Sequence, residues 1–391
     1  MNMKRASGRA ATIRPRNAHP AEQRASGRAA TDEQRRTHLA LIRHALASAG
    51  MFATLGGSLP ALETSGDPDS DVVAAIAAQE RAGLEALTDG GRRYRDPVSV
   101  LVDGLDGIEV RATAEGAARG RAARSKSQPP PIARALPTWR GPILVDGWRA
   151  TATLTDLPVK QVLVGPYTLG RRVAPGTLGR DHVTRALADS LAQEIRALAD
   201  AGCALIEVVE DAATLIGEDP AERHLFRAAQ RRLLAEMDGV HCSLAIRGGK
   251  ADTAGAETIL DAPYSSYLFD LCAGPDNWRL IVDVPGDRGV IVGAADARTA
   301  DNDTLEILAF AIGYAASTRE RGHARVGLAT SGDMAALPPA AAVAKMERIG
   351  EAARLYASDP GALAAAIDPR SVDIRGAALG RTARSAARDR G

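Results

Sequence analysis

The stretch from residue 181 to residue 209 has the sequence DHVTRALADSLAQEIRALADAGCALIEVV and joins an amphipathic helix to a buried strand. Five apolar side chains recur at helical spacing on one face of residues 181–201: Val183, Leu187, Leu191, Ile195 and Leu198. Asp181 is a candidate N-cap, and Gly202 is placed to end the helix. Because the apolar run 204–209 follows at once, a strand is predicted directly after the helix.

The same alternation continues on both sides of this stretch. Further strands are predicted near 51–56, 84–88, 160–164, 240–246, 265–271, 289–295 and 324–329, and further helices near 220–238, 303–321 and 338–357. Repeated strand-helix alternation predicts a parallel sheet, because parallel neighbours need a crossover that is usually helical. The number of strands favours an α/β fold of the (β/α)8 TIM barrel type over an open sheet.

One barrel domain is predicted from residue 38 to residue 365, between two low-complexity tails. Residues 1–37 are rich in Arg and Ala and repeat the segment RASGRAAT at 5–12 and 24–31, which is typical of a flexible basic tail. Residues 111–137 include three consecutive prolines and are predicted to form an exposed loop insertion. Residues 366–391 are predicted to be a frayed tail.

The composition limits the classes of function. With 45% hydrophobic and 3% aromatic residues, the chain can bury a core of mostly aliphatic side chains. A formal net charge of +1 provides no overall attraction to nucleic acid or to an acidic membrane. The sequence lacks an apolar run of about 18 residues that would indicate a membrane span, and its three widely spaced cysteines argue against a disulfide framework. We expect a cytoplasmic protein that acts on a small molecule, with no specific nucleic acid partner; a homodimer is an option that the sequence leaves open.

Polar residues follow most of the predicted strands. In a barrel of parallel strands, the chemistry lies where strands end and the following loops begin. The polar residues at those points are Ser58, Asp89, Arg95, Asp96, Tyr167, Thr168, Glu210, Asp211, Arg247, Asp270, Asp296, Ser331 and Asp333. Carboxylates dominate, with two arginines able to pair with them, and this combination suits an anionic or zwitterionic substrate and general acid-base catalysis.

Five segments, in the same order along the chain, resemble the catalytic barrel of cobalamin-independent methionine synthase, within the barrel superfamily that includes uroporphyrinogen decarboxylase. They are Thr54-Leu55-Gly56-Gly57-Ser58-Leu59-Pro60, residues 79–90, Val164-Gly165-Pro166-Tyr167-Thr168, residues 201–210 and Val292-Gly293-Ala294-Ala295-Asp296. The resemblance implies the same barrel over most of the chain. It also implies that Gly57 and Ser58 hold a substrate carboxylate and that a methylated folate is the methyl donor.

The chain departs from the family pattern at the positions of the metal ligands. The resemblance aligns the family's His-x-Cys zinc ligands with Leu244 and Ile246, its ligand Glu with Asp270, and its last ligand Cys with Ser331. A zinc site needs three or four nitrogen, sulfur or carboxylate ligands. Zinc is therefore not expected, and no metal ligand is predicted.

Two further departures concern substrate recognition and a relocated metal site. Gly91 and Val209 stand where the family has carboxylates of its amino-acid site, which argues against homocysteine as the acceptor. Period-two alternation predicts that Cys242 shares the inward face of Leu244 and Ile246. A relocated metal site at Cys242, Asp270 and Cys272 is conceivable, but cysteines packed as small apolar residues are favoured.

The leading hypothesis is a methyltransferase that uses a tetrahydrofolate derivative, 5-methyltetrahydrofolate, and methylates an acceptor other than homocysteine without zinc. Asp296, Glu210 and Asp270 are the predicted catalytic residues, because methyl transfer from such a folate needs a proton donor to N5. The predicted substrate-binding residues are Ser58, Gly57, Asp89, Arg95, Asp96, Tyr167, Thr168, Arg247 and Ser331. Two alternatives stay open: a metal-free decarboxylase or lyase of the uroporphyrinogen decarboxylase type, and a catalytically degenerate ligand-binding paralogue.

Overall fold

The computed structural model describes residues 51–63, 66–94, 96–110, 129–237, 239–301 and 303–358. The two predicted tails, 1–37 and 366–391, lie outside the described residues, as do Arg95 and residues 111–128 of the predicted loop. Among the helices that are described, none is both long and apolar enough to cross a membrane.

Seven parallel strands form the main sheet, and two further strands form a separate antiparallel pair. In chain order the nine strands are β1 (Phe52–Thr54), β2 (Leu105–Glu109), β3 (Ile132–Trp139), β4 (Gln161–Val164), β5 (Leu205–Val209), β6 (His241–Ile246), β7 (Ser266–Asp270), β8 (Gly289–Ala295) and β9 (Val326–Thr330). The order in the main sheet is β1-β9-β8-β7-β6-β5-β4, and β2 pairs with β3. The prediction of a parallel α/β sheet is therefore confirmed.

Helices follow most of the parallel strands. They are α1 (Pro68–Ala82), α2 (Pro97–Asp103), α3 (Val145–Ala152), α4 (Pro166–Arg172), α5 (Arg180–Asp200), α6 (Pro220–Leu233), α7 (Ala256–Ile259), α8 (Trp278–Asp283), α9 (Leu305–Ser317) and α10 (Pro339–Ser358). The helix predicted at 181–201 is α5, but its N-cap is Gly179 and Asp181 lies in its first turn. The predicted loop 111–137 is wrong at its end, because residues from Ile132 onward pair with β2.

The two faces of the main sheet pack against different partners. Leu244 and Ile246 of β6 belong to the large apolar core that includes residues of the surrounding helices. The opposite face carries a separate apolar cluster, to which seven strands contribute: Val209, Ala245, Leu268, Ile291 and Ala329, with Phe52 and Val162 packed against them. Side chains from all seven strands can meet in one cluster only because the sheet curls around it.

This curl corrects the predicted orientation of β6. Cys242, Leu244 and Ile246 lie on the helix-packed face, whereas Ser243 and Ala245 have the parity of the concave face. The prediction that the first three residues face inward is wrong. The reason is that nearly every residue of β6 is buried, so that the apolar pattern does not distinguish one face from the other.

The two edge strands, β1 and β4, approach the same short segment. Ala86 forms an isolated parallel bridge with Thr54 in β1, and Leu87 forms another with Val159 just before β4. The strand predicted at 84–88 is thus limited to these bridges. A buried cation also joins the edges, because Lys160 Nζ donates to the Leu55 carbonyl at 2.7 Å.

Candidate functional site

Three polar residues from distant parts of the chain meet at the carboxyl ends of the strands. Ser58 follows β1, Arg247 follows β6 and Asp333 follows β9. The Ser58 backbone N–H and hydroxyl donate to Asp333 Oδ1 at 2.9 and 3.1 Å. Arg247 Nη1 donates to the same oxygen at 3.3 Å. We call these three residues the Asp333 corner.

Arg247 is held from several sides. Its Nε and Nη2 donate to the two carboxylate oxygens of Asp211 at 3.0 and 2.8 Å, and its Nη1 donates to the Gly56 carbonyl at 2.8 Å. Burial lowers the pKa of Arg247, but Asp211 and Asp333 outweigh burial and raise it overall. Burial likewise raises the pKa of Asp333, and Arg247 and Ser58 outweigh it, so that the pKa lies below its usual value. Both groups are charged at neutral pH.

Glycines allow the loops around the Asp333 corner to pack backbone to backbone. A Cβ atom on Gly57 would lie 2.4 Å from the Gly332 carbonyl carbon, and one on Gly91 would lie 2.6 Å from the Ser58 Cβ. Gly91 also has φ of 66°, and its N–H donates to Asp89 Oδ1 at 2.8 Å. Burial raises the pKa of Asp89. Gly57, Ser58 and Asp89 therefore lie close together, and their role in binding a substrate stays a prediction.

Glu210 binds the start of α4 instead. Its two carboxylate oxygens accept the backbone N–H groups of Tyr167 and Thr168 at 2.9 and 2.7 Å, and Gln230 Nε2 donates to Oε1 at 2.6 Å. Burial raises the pKa of Glu210 to about 7 against the effect of these hydrogen bonds. The Tyr167 hydroxyl donates to Glu222 Oε2 of α6 at 2.6 Å, on the helical side of the sheet. These contacts stabilise the loops, and the predicted catalytic and substrate roles of the three residues stay predictions.

Asp270 connects the ends of β6 and β7. Its Oδ1 accepts the N–H groups of Cys272 and Ala273 at 2.8 Å each, and its Oδ2 accepts the Gly248 N–H at 2.9 Å. Its side chain lies on the concave parity of β7, next to Arg298, and burial raises its pKa. The carboxylate therefore orders two neighbouring loops at the mouth of the curled sheet.

Asp296 and Ser331 order the loops after β8 and β9. Arg298 donates to both oxygens of Asp296, from Nε at 2.9 Å and from Nη2 at 3.1 Å. The Ala297 N–H donates to Ser331 Oγ at 3.1 Å. Since Arg298 contributes to the electrostatics of both Asp270 and Asp296, these two carboxylates lie in one cluster. Glu210 binds elsewhere, at the start of α4.

One predicted substrate residue has a different structural role. Asp96 is the N-cap of α2, and its side chain accepts the Val98 N–H at 3.1 Å and the Ser99 hydroxyl. A side-chain oxygen at this position satisfies a donor of the first helical turn. The Asp-Pro pair at 96–97 is a recognisable sign of such a cap.

Three residues of β6 have the concave parity: His241, Ser243 and Ala245. His241 lies at the start of the strand, where its Nε2 is 2.8 Å from Ser266 Oγ, and neither Ser243 nor Ala245, which are nearer the strand end, is a conventional zinc donor. Across the part of the chain that the structure describes, three or more His, Cys, Asp or Glu residues nowhere form a group that could hold a metal ion. Ser243 and Ala245 therefore offer a zinc ion no nitrogen or sulfur ligand at these two positions.

Sequence analysis missed a buried ion pair below the site. Lys160 Nζ and Glu207 Oε2 lie 2.6 Å apart, with side-chain exposures of 6% and 2%. The available signal was a single Glu inside the apolar strand 204–209, because a lone charge in such a strand needs a buried partner. Arg298 and the contact between Asp211 and Arg247 were missed for lack of any periodic signal.

Comparison with known proteins finds a family model and relatives that match part of the chain. The catalytic-domain model of the cobalamin-independent synthase matches residues 57–237. Over 143 residues the chain is 32% identical to a 5-methyltetrahydropteroyltriglutamate–homocysteine methyltransferase of Bradyrhizobium diazoefficiens. The matched segment is 36% of this chain and 18% of that protein. A protein of the same description from Cronobacter sakazakii is 32% identical over 139 residues, 35% of this chain and 18% of its own length. The chain thus spans about a fifth of the length of these relatives.

Solved structures share the fold at low sequence identity. A B12-independent methionine synthase from Shewanella sp. W3-18-1, in complex with selenomethionine, superposes with a TM-score of 0.68 at 16% identity, covering 80% of this chain and 99% of that one. A methyltransferase from Methanosarcina mazei gives 0.54 at 15% identity, covering 79% and 94%. The class is thus that of α/β proteins with methionine synthase-like catalytic domains. Within it, the catalytic-domain match over residues 57–237 supports the resemblance to cobalamin-independent methionine synthase that the sequence motifs indicate.

Proposed function

We propose that the protein transfers a methyl group from 5-methyltetrahydrofolate to an acceptor other than homocysteine, without zinc. The match of residues 57–237 to the catalytic domain of the cobalamin-independent synthase supports methyl transfer. The observation that carries the rest is the identity of Ser243 and Ala245, the two concave residues of β6 nearest the carboxyl end of the strand, because a serine hydroxyl and a methyl group cannot supply the nitrogen and sulfur ligands of a thiolate-activating zinc ion.

An acceptor that is already nucleophilic does not need a metal to lower its pKa. The methyl group leaves N5 of the folate for the acceptor atom, N5 takes up a proton, and the acceptor loses one. Asp270 is the proposed source of that proton because it lies at the end of β7 and burial raises its pKa. Asp296, which is paired with Arg298, has the proposed role of orienting the neighbouring groups. Glu210 remains in the proposal as a residue that positions α4.

Metal analysis combined with folate binding tests the proposal. Protein purified without added zinc should contain far less than one zinc per chain, and chelation should leave its thermal midpoint unchanged. Calorimetry should detect binding of 5-methyltetrahydrofolate, and donor labelled at the methyl carbon should give a labelled acceptor in an extract of small metabolites. Stoichiometric zinc, or no folate binding at all, would overturn the proposal.

A catalytically inactive ligand-binding protein is the second candidate. It is favoured by one observation, that Glu210, Asp270 and Asp296 all accept several hydrogen bonds from groups of the protein itself. The labelled-donor experiment separates the two, since an inactive protein would bind the folate and leave the label on it. The decarboxylase alternative is less favoured, because Arg247 and Arg298 are both paired with carboxylates of the chain.

Closure of the sheet belongs to the same proposal. The bridges of Ala86 and Leu87 support a barrel of eight strands, with residues 85–87 as the strand between β1 and β4. A single domain, a cytoplasmic location and a homodimer stay predictions from the sequence.

A further inference from the structure

Three donors converge on one oxygen of an acidic side chain at the mouth of the sheet. The Ser58 N–H, the Ser58 hydroxyl and Arg247 Nη1 all donate to Asp333 Oδ1, within 2.9 to 3.3 Å. A backbone amide, a hydroxyl and a guanidinium are the groups with which proteins bind a ligand carboxylate. Here the chain supplies the carboxylate itself, although the Asp333 side chain is 58% exposed and open to solvent from the outside.

The backbone fixes Asp333 in this position. The Met334 N–H donates to the Ser58 carbonyl at 2.8 Å, so that the two loops are joined on both sides of the Asp333 side chain. The Gly56 N–H donates to Thr330 Oγ1 at 2.9 Å, and Gly57 leaves no room for a side chain against the loop after β9. The Asp333 carboxylate is therefore held by the packing of the two loops and accepts the hydrogen bonds of Ser58 and Arg247 in the folded protein.

We propose that Asp333 is an internal occupant of a carboxylate subsite formed by Ser58 and Arg247, and that it excludes acceptors carrying a carboxylate at this point. The inference rests on the proposed function, since it names a property of the acceptor. A zwitterionic amino acid would have to displace Asp333 to reach the donors. An acceptor that carries a neutral or cationic group at this point could contact the exposed oxygen of Asp333 and would not have to displace the Asp333 carboxylate.

Replacing Asp333 should open the subsite to an external anion. In Asp333→Ala the lost group is one carboxylate, which formate matches in size. Formate should raise the thermal midpoint of this variant, and the rise should increase with formate concentration. Formate should bind the variant at least about tenfold more tightly than it binds the unmodified protein. Chloride at equal ionic strength should not raise the thermal midpoint. Asp333→Asn keeps the subsite filled and should resemble the unmodified protein.

A matched control removes an exposed acid elsewhere. Asp189 pairs with Arg232 at 2.9 Å, with side-chain exposures of 50% and 48%, so that Asp189→Ala likewise removes an exposed carboxylate from an arginine. It should show no formate response. If Asp333→Ala responds no more than Asp189→Ala, the inference is overturned. If Asp333→Ala does not fold, Asp333→Ser gives the same test, and adding Ser58→Ala should weaken its formate response.

Ligand binding connects the subsite to the acceptor. Homocysteine and its decarboxylated analogue 3-aminopropanethiol differ only in the carboxylate. Asp333→Ala should bind homocysteine more tightly than the unmodified protein does, by about tenfold or more, with the analogue unchanged. Equal gains for both thiols would overturn the inference. These measurements require no methyl transfer, so that a failure of the proposed reaction would show separately, in the labelled-donor experiment.

Discussion

The buried pair of Lys160 and Glu207 makes the strongest stability prediction. Their charged atoms lie 2.6 Å apart, and both side chains are almost inaccessible to water. Glu207→Ala leaves the ammonium with the Leu55 carbonyl as its described acceptor. Removing one partner of a buried ion pair costs about 3–5 kcal/mol, because the remaining charge is neither hydrated nor compensated. We therefore expect the free energy of unfolding to fall by about that amount.

A double replacement separates the charge effect from packing. Lys160→Met with Glu207→Leu removes both charges and keeps apolar volume, which is often neutral or stabilising for a buried pair. The Leu55 carbonyl then loses its donor, at a cost of about 1–3 kcal/mol. The double variant should therefore lie clearly above Glu207→Ala in stability.

Urea unfolding followed by circular dichroism measures these differences, with Asp189→Ala as the exposed control. The control should change the free energy of unfolding by less than about 1 kcal/mol, because Asp189 and Arg232 are about half exposed. If Glu207→Ala were no more costly than the control, the pair would be hydrated in solution. The Lys160 contact between the two edges of the sheet would then be open to water, and the closed barrel would be supported by the bridges of Ala86 and Leu87 alone.

Two further predictions concern pH and metal binding. Burial raises the pKa of Glu210 to about 7, so that the stabilisation from its protonated carboxyl is complete below the ordinary pKa of 4.5 and is lost as the pH rises through 7. The difference in the free energy of unfolding between the protein and Glu210→Gln should therefore shrink by about 3 kcal/mol between pH 4.5 and 7.5. Urea unfolding at several pH values that shows a constant difference would contradict this prediction. Ser243→His with Ala245→Cys should place a nitrogen and a sulfur donor on the concave face of the sheet and create zinc binding there. Leu244→His with Ile246→Cys should instead destabilise the core and bind no zinc. Equal zinc affinities of the two variants in titrations with a competing chelator would show that the assigned faces of β6 are wrong.

The elements of the fold could be predicted from local patterns. Strand β8 occupies residues 289–295 as predicted, because its apolar run is bounded by turn residues, and α5 differs from its prediction by one residue at each end. The faces of β6 could not be assigned in this way. Both faces of a parallel strand are buried, and the apolar run from Cys242 to Ile246 contains no alternation that distinguishes them.

The candidate site could be predicted as a set of strand ends, but its contacts could not. Ser58 and Asp333 are 275 residues apart, and no periodicity connects them. Asp96 and Asp270 are both predicted as strand-end carboxylates, yet one caps a helix and the other orders two loops. The packing of the loops decides which donors bind each carboxylate, and that packing depends on contacts throughout the fold.

Exposure distinguishes the acids that can meet a ligand directly from those that order the loops. Asp270 and Asp296 are each 2% exposed and Glu210 is fully buried, and their oxygens accept hydrogen bonds from groups of the protein. Asp333 is 58% exposed at the same end of the sheet, and its pKa lies below the usual value, so that it carries a full negative charge where a ligand can approach. A ligand can therefore reach Asp333 without any loop opening, whereas contact with Asp270 requires the loops after β6 and β7 to give up hydrogen bonds. For this reason selectivity for the acceptor should respond to changes at Asp333 before it responds to changes at the buried acids.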